Sequence, residues 1–336
     1  MAAVGIDLLR VIAYGNLQLK KQQDAKIRAQ LQYWRSRPHR QPGIYMLELV
    51  HRDTKQSLSV NQLKFVLRKA IDYVELRDHN AAFLIDNAFK RTSAADVLNG
   101  ARRYMKAPIQ SQTFFQFAHH VEQMCAKIPQ NRWDEPMAQP MREVGYGQYA
   151  IGRIGDHNSH NSSNYLMGLF DAICKAFEQE LGGRYTIIGE VIFQCWDEEQ
   201  CCPAEELFTC IAQADIASGR GFCHSDAGTT AMKAEGDEQF DWDEIRMDAL
   251  KTSPYLANMR VELKVIQQVK ELQDQLPDLE ARLEELANIE LPDDDDDLDE
   301  TALQNRLNSQ QAEIARNENI MDVLKRGDQL MRRLGI

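Results

Sequence analysis

Three short runs limit what this chain can fold into. "GIYMLELV" at 43–50 is brief, apolar and preceded by Pro38 and Pro42. Residues 141–146 form a second such run, and "RYTIIGEVIFQCW" at 184–196 a third and longer one. Each has the length and β-branched or aromatic content of a strand. Nearly everywhere else, apolar residues recur at helical spacing. The fold class is therefore mixed, α/β (α+β): a small sheet flanked by helices.

Residues 1–36 are helix-like, with Leu8, Leu9, Ile12, Leu17 and Leu19 as the apolar positions, and Pro38 and Pro42 close the segment. A separate N-terminal helix over 1–40 is expected. A core over 41–253 follows, with a helical insertion at about 55–135. Within it, 59–76 carries Leu63, Val66, Leu67, Ile71 and Val74 on one face, with Ser59 as N-cap. Further helices are predicted over 80–89, 94–105 and 112–127. Beyond the prolines of 129–140, helices are predicted over 149–158, 164–180 and 203–217. Pro203 suits the first turn of the last, and 218–222 is a turn.

From Tyr255 the pattern is purely helical. Val265, Val269, Leu272, Leu276, Leu279, Leu283 and Leu286 recur in alternating steps of four and three, and Pro277 should kink the helix. After "PDDDDDLDE" at 292–300, Leu303, Leu307, Ile314, Met321 and Leu324 repeat the stripe, with Gln310, Asn317 and Asp328 on the seam. Residues 254–336 thus read as a helical hairpin or coiled coil with an acidic loop. Their expected partner is a second copy (a homodimer) or a partner helix along 256–334.

The formal net charge is −12, and most of the acidic excess follows Glu190. That balance opposes strong nonspecific attraction to nucleic acid or anionic membrane, yet leaves room for a local basic groove. Seven cysteines stand at no regular spacing, the apolar start meets Asp7 and Arg10 early, and no apolar run approaches 18 residues. The expectation is an intracellular, reduced protein of nucleus or cytoplasm, with no membrane span.

The most unusual stretch is "VGYGQYAIGRIGDHNSHNSSNYLMGL" at 144–169. Arg153, His157 and His160 follow at helical spacing, then a polar run from Asn161 to Asn164. Phosphodiester hydrolysis needs a fixed guanidinium on the phosphate, a carboxylate for a metal and a base for water. Arg153, His157 and Glu205 could supply them. The plainer alternative makes Arg153 and His157 a solvated helix face, with Glu205 and Glu206 favouring a helix N-terminus by charge–dipole attraction.

Gly43-Ile44-Tyr45 opens one predicted strand and Val144-Gly145 closes another. Arg153 falls eight residues after Gly145, His157 four later, and then come a helix, a strand and a helix bearing Glu205. This order resembles the GIY-YIG nuclease family. A divergent fungal GIY-YIG-like group is also similar over roughly 40–260, sharing "SSNYLMGL"-like and "GF-H"-like segments. The resemblance implies a GIY-YIG-like fold and a metal-dependent phosphodiesterase, an endonuclease acting on DNA or RNA. It makes Tyr45 the general base or water-orienting phenol, and Arg153 the group stabilising the scissile phosphate. His157 would assist, and Glu205 would hold Mg2+ or Mn2+. Three features depart from the family. Glu143 stands where the second tyrosine is expected, nearly 95 residues separate the signature strands, and no asparagine matches after the catalytic helix, where Cys223-His224 lies.

Other residues carry less. Cys195, Cys201, Cys202, Cys210, Cys223 and His224 lack the paired knuckles of structural zinc. Gly219-Arg220-Gly221 has no P-loop lysine after it and is a turn. His119-His120 fits core packing or a helix edge. The four tryptophans are scattered, and the aspartate run is a solvated loop. Two functions stay open: a nucleic-acid phosphodiesterase, and a non-catalytic interaction or scaffold protein acting through its C-terminal hairpin.

Overall fold

The computed structural model describes residues 4–36, 41–228, 240–287 and 308. It is mixed helix and sheet, with one three-stranded antiparallel sheet in the order β2-β1-β3. The central strand is β1 (Gly43–His51), flanked by β2 (Met141–Gly147) and β3 (Tyr185–Gln194). Eight of the nine β1 residues are buried, which is why its sequence reads as a continuous apolar run with no alternation. In the β1–β2 pairing, Tyr45 lies opposite Gly145, Leu47 opposite Glu143 and Glu48 opposite Arg142. Towards β3 the register shifts beside Tyr45: Ile44 faces Phe193, but Tyr45 faces Val191. Such a bulge bends the strand locally and re-aims the side chain beside it.

The N-terminal segment is three helices rather than one: α1 (Ile6–Tyr14), α2 (Leu17–Gln23) and α3 (Ala25–Ser36). Asn16 forces the first break, because its side chain accepts from the Leu19 N–H and so caps a new helix. Asp24 makes the second in the same way, accepting from the Lys26 and Ile27 N–H groups. Leu8, Ile12, Leu17, Ile27, Leu31 and Trp34 are buried in the common core. A buried ion pair fastens these helices to the sheet. Arg142 donates to the carbonyls of Ile12 and Gly15, and its Nη2 lies 3.3 Å from Glu48. Glu48 in turn accepts from the first N–H groups of α2, at Leu17 and Gln18.

Between β1 and β2 lie α4 (Val60–Val74), α5 (His79–Asn87), α6 (Ala94–Leu98) and α7 (Pro108–Ala126). Ser59 and Gln62 form a capping box at the start of α4. The helix predicted over 94–105 stops at Leu98. Gly100 takes the left-handed conformation (φ 87°) just past its end, and Arg102 and Arg103 turn inward onto backbone carbonyls. The helix predicted from residue 112 starts earlier. Pro108 occupies its first turn, where no N–H is needed, and the Gln110 side chain accepts from the Lys106 and Ala107 N–H groups. Asp86 ties the insertion together, accepting from the Tyr73 hydroxyl at 2.6 Å and from the Arg103 N–H.

After β2 come α8 (Ala150–Asn158) and α9 (Tyr165–Ala176). Beyond β3 follow α10 (Cys201–Ala212), α11 (Trp242–Thr252) and α12 (Tyr255–Ala287). The chain divides into two compact units, Met1–Asn258 and Met259–Ile336. The N-terminal helices fall within the first unit. The helix of α12 continues through Pro277. Along it Val261, Leu263, Val265 and Ile266 are exposed. The acidic run 292–300 and the second heptad stripe lie outside the described residues.

Candidate active site

Three elements bring the expected residues to one cleft of about 110 Å3. Tyr45 comes from β1, Arg153 and His157 from α8, and Glu205 from α10. The 99 residues between Tyr45 and Gly145 do not prevent their pairing, because the insertion leaves and re-enters the sheet at adjacent strand ends. Gly145 is required by its neighbour: a Cβ there would lie 2.5 Å from the Tyr45 hydroxyl. The missing side chain lets the phenol cross β2.

The Tyr45 hydroxyl lies 3.0 Å from His157 Nε2. The same nitrogen is 3.6 Å from Glu143, while His157 Nδ1 is buried without a partner among the described residues. Arg153, one turn earlier on α8, has 40 % of its side chain exposed and pairs with Asp156 at 3.3 Å. Glu205 is held rigidly. One carboxylate oxygen accepts from the Tyr146 N–H at 3.2 Å, the other from the Gly228 N–H at 3.0 Å. The loop 223–227, Asn164 and Thr209 complete the walls.

Burial sets the protonation states. It lowers His157 to about 4, with Arg153 adding to the fall, so the imidazole is neutral at pH 7. It raises the Tyr45 phenol, with the Glu143 charge next in effect and Arg153 opposing, so Tyr45 keeps its proton. A neutral imidazole protonated on Nδ1 accepts that proton at Nε2, whereas one protonated on Nε2 donates to the phenol oxygen. Burial also pushes Glu143 up to about 8, against the pull of Arg153 and the Asn164 amide. Glu205 is raised by burial too, opposed by its two backbone N–H donors.

Sequence reasoning noted Glu143 only as a departure and did not expect it in the site. Its place two residues before Gly145 put it on the same strand face as the Tyr45–Gly145 pair, and that parity was the available signal. Asn164 was hidden in a polar run. It caps α9, accepting from Met167, and donates to the Phe222 carbonyl, which locks the loop against the helix. His160 does not join Arg153 and His157. It lies past the end of α8 in the left-handed region (φ 55°) and turns towards the insertion. His119 is at an exposed helix edge beside Gln123.

Carboxylate oxygens are hard donors, suited to Mg2+ or Mn2+. Each Glu205 oxygen has one N–H and keeps a lone pair, and Glu143 Oε2 is buried without a partner among the described residues. No group of three or more His, Cys, Asp or Glu side chains converges on a metal position among the described residues. Glu205 would hold an ion together with water and substrate oxygens, the usual arrangement for Mg2+. No helix among the described residues is long and apolar enough to cross a membrane.

Fold and site together define an α+β protein whose small antiparallel sheet carries a buried polar cleft along one face. Known family models, characterised proteins and solved structures gave no match to the chain.

Proposed function

We propose that the chain has a GIY-YIG-like core and acts as a divalent-metal-dependent phosphodiesterase on nucleic acid, DNA or RNA. The observation that carries this reading is the convergence of Tyr45, Arg153, His157 and Glu205 on one cleft from three separate elements. Arg153, half-exposed beside the cleft, would take the phosphate and offset the charge that grows on it. Tyr45 would orient the attacking water. As the water oxygen bonds to phosphorus and the P–O bond to the leaving ester oxygen breaks, the water proton passes to the phenol oxygen and the phenol proton to His157 Nε2, while the leaving oxygen takes a proton from solvent. A neutral imidazole is the acceptor this step needs, and burial keeps His157 neutral. Glu205 would hold the Mg2+ or Mn2+, which when bound supplies Lewis-acid stabilisation of the phosphoryl oxygens.

Cleavage assays with Mg2+ or Mn2+ on single- and double-stranded DNA and RNA at low salt test the reading. The wild type should cut at least one substrate, and Arg153→Ala and Glu205→Ala should each lose about 10²-fold or more. Absence of wild-type cleavage on every substrate would sink it. That outcome favours the second reading, an interaction protein working through its C-terminal helix. The row of exposed apolar side chains on α12, Val261, Val265, Ile266 and Leu272, supports that alternative.

A further inference from the structure

Beside the candidate cleft lies a larger pocket of about 400 Å3, and the two share His157, Ser163 and Asn164 as walls. Its volume falls within the range of about 300–1,000 Å3 typical of ligand sites. The charge lining it is unlike that of the chain as a whole. Lys90, Arg103 and Lys106 face it, and its one acid, Asp171, is met by His160 at 3.0 Å.

The three cations keep their charge available. The Lys90 ammonium touches only the His160 carbonyl and the Asn161 amide oxygen, among the described residues. The Arg103 guanidinium donates to uncharged oxygens, at Asp86, Lys90, Arg91 and Thr92. Lys106 is exposed at the rim. In a protein of net charge −12, a concave surface with three cations against one acid attracts anions.

The floor is built with unusual care. His160 is held at φ 55°, a conformation that costs a non-glycine residue energy. Three contacts hold it there: Tyr104 at 2.9 Å on Nδ1, Asp171 on Nε2, and Phe89 stacked at 3.7 Å. This fixes the turn leading to Ser162 and Ser163, whose hydroxyls line the pocket.

We propose that this pocket is an anion-binding subsite that seats a backbone phosphate of the nucleic-acid strand, next to the phosphate in the candidate cleft. The subsite rests on the nucleic-acid reading above. Its cations come from the helical insertion, which thereby becomes a substrate-binding element and not a neutral spacer. Ser163 stands at the junction of the two cavities, and Ser162 beside it lines the larger one.

Lys90→Gln/Lys106→Gln tests it, since both side chains are exposed and the fold does not depend on them. Fluorescence anisotropy of the full chain is measured with a labelled single-stranded oligonucleotide and with its duplex. EDTA prevents cleavage, and KCl is varied. Loss of the seated phosphate should weaken single-strand binding about tenfold and make the log–log salt slope shallower by about 0.7. A change of folding alone would not move that slope by a contact-counted amount. Inorganic phosphate as competitor separates a strand site from a site for free phosphate: displacement of phosphate without any oligonucleotide binding would overturn the proposal. Unchanged affinity and slope in the variant would overturn it too, as would a wild type that binds neither oligonucleotide. The two readings fail separately. Cleavage that needs Arg153 and Glu205 in a protein indifferent to Lys90 and Lys106 removes the subsite and keeps the enzyme. Lysine-dependent binding without any cleavage does the reverse.

Discussion

The two faces of the same strand pair carry two buried polar clusters that behave oppositely. On one face, Glu48 and Arg142 meet each other, two helix-end carbonyls and two helix-start N–H groups. On the other, Tyr45, His157 and Glu143 share a single close hydrogen bond and leave His157 Nδ1 and Glu143 Oε2 without partners among the described residues. The first cluster has its charges paired, leaves Arg142 Nε without a partner among the described residues, and is no part of the cleft wall. The second lines a cavity and leaves polar atoms unmet. Burial alone does not distinguish structure from function here. What distinguishes them is whether the buried charges are paired within the fold and whether the groups line a cavity.

Breaking the satisfied cluster should have the largest effect on stability. Arg142→Met leaves Glu48 buried beside two bereft carbonyls, a change that costs about 3–5 kcal/mol. Urea unfolding should report that loss, and limited proteolysis should cut 1–36 sooner. Arg142→Met/Glu48→Leu should cost less than the two single changes summed. Additive losses would mean that the pair is not coupled.

Gly145→Ala attacks the other face. The added Cβ would stand 2.5 Å from the Tyr45 hydroxyl, so the ring must leave His157. Stability should fall by about 1–3 kcal/mol, while any cleavage activity drops by about 10²-fold or more through the lost proton transfer. If activity and stability fall in proportion, the Tyr45–His157 contact has no special role.

The smallest effect sharpens the comparison by pH. Folding raises Glu143 to about 8 from an ordinary 4.5. Between those values the folded protein binds more protons than the unfolded chain, so stability falls as pH rises through that window. His157 works from the other side. Its value of about 4, against 6.5, makes stability fall as pH drops from 6.5 towards 4. Glu143→Gln should therefore flatten the decline of Tm between about pH 5 and pH 9, with a gain of a few degrees at the alkaline end. It should leave the acid limb in place. An unchanged alkaline slope would show that Glu143 is ionised in the folded state at neutral pH.

Much of the fold was legible because local rules and tertiary packing agreed. The three strands were marked by apolar runs between breakers, and α4 by its capping serine and apolar stripe. The misread places were those where a side chain capped the backbone locally. Asn16 and Asp24 broke the N-terminal helix into three, and Gly100 ended α6 early. In the site, Arg153, His157 and Glu205 could be proposed from spacing on helices. Glu143 could not be given a role, because its burial and its distance to His157 depend on a strand paired across the whole insertion.

The sequence by itself determined the elements: a few strands among many helices, glycine at 145, and arginine and histidine one turn apart. Their determinants are local, set by periodicity, capping and chain stiffness. The tertiary structure decided which elements meet. It turned Tyr45 towards His157 through a strand pairing and a bulge, sent His160 to a different pocket from His157, and put Glu48 and Glu143 on opposite faces with opposite fates. Those outcomes depend on contacts between residues more than a hundred positions apart, and on burial that only the assembled core creates.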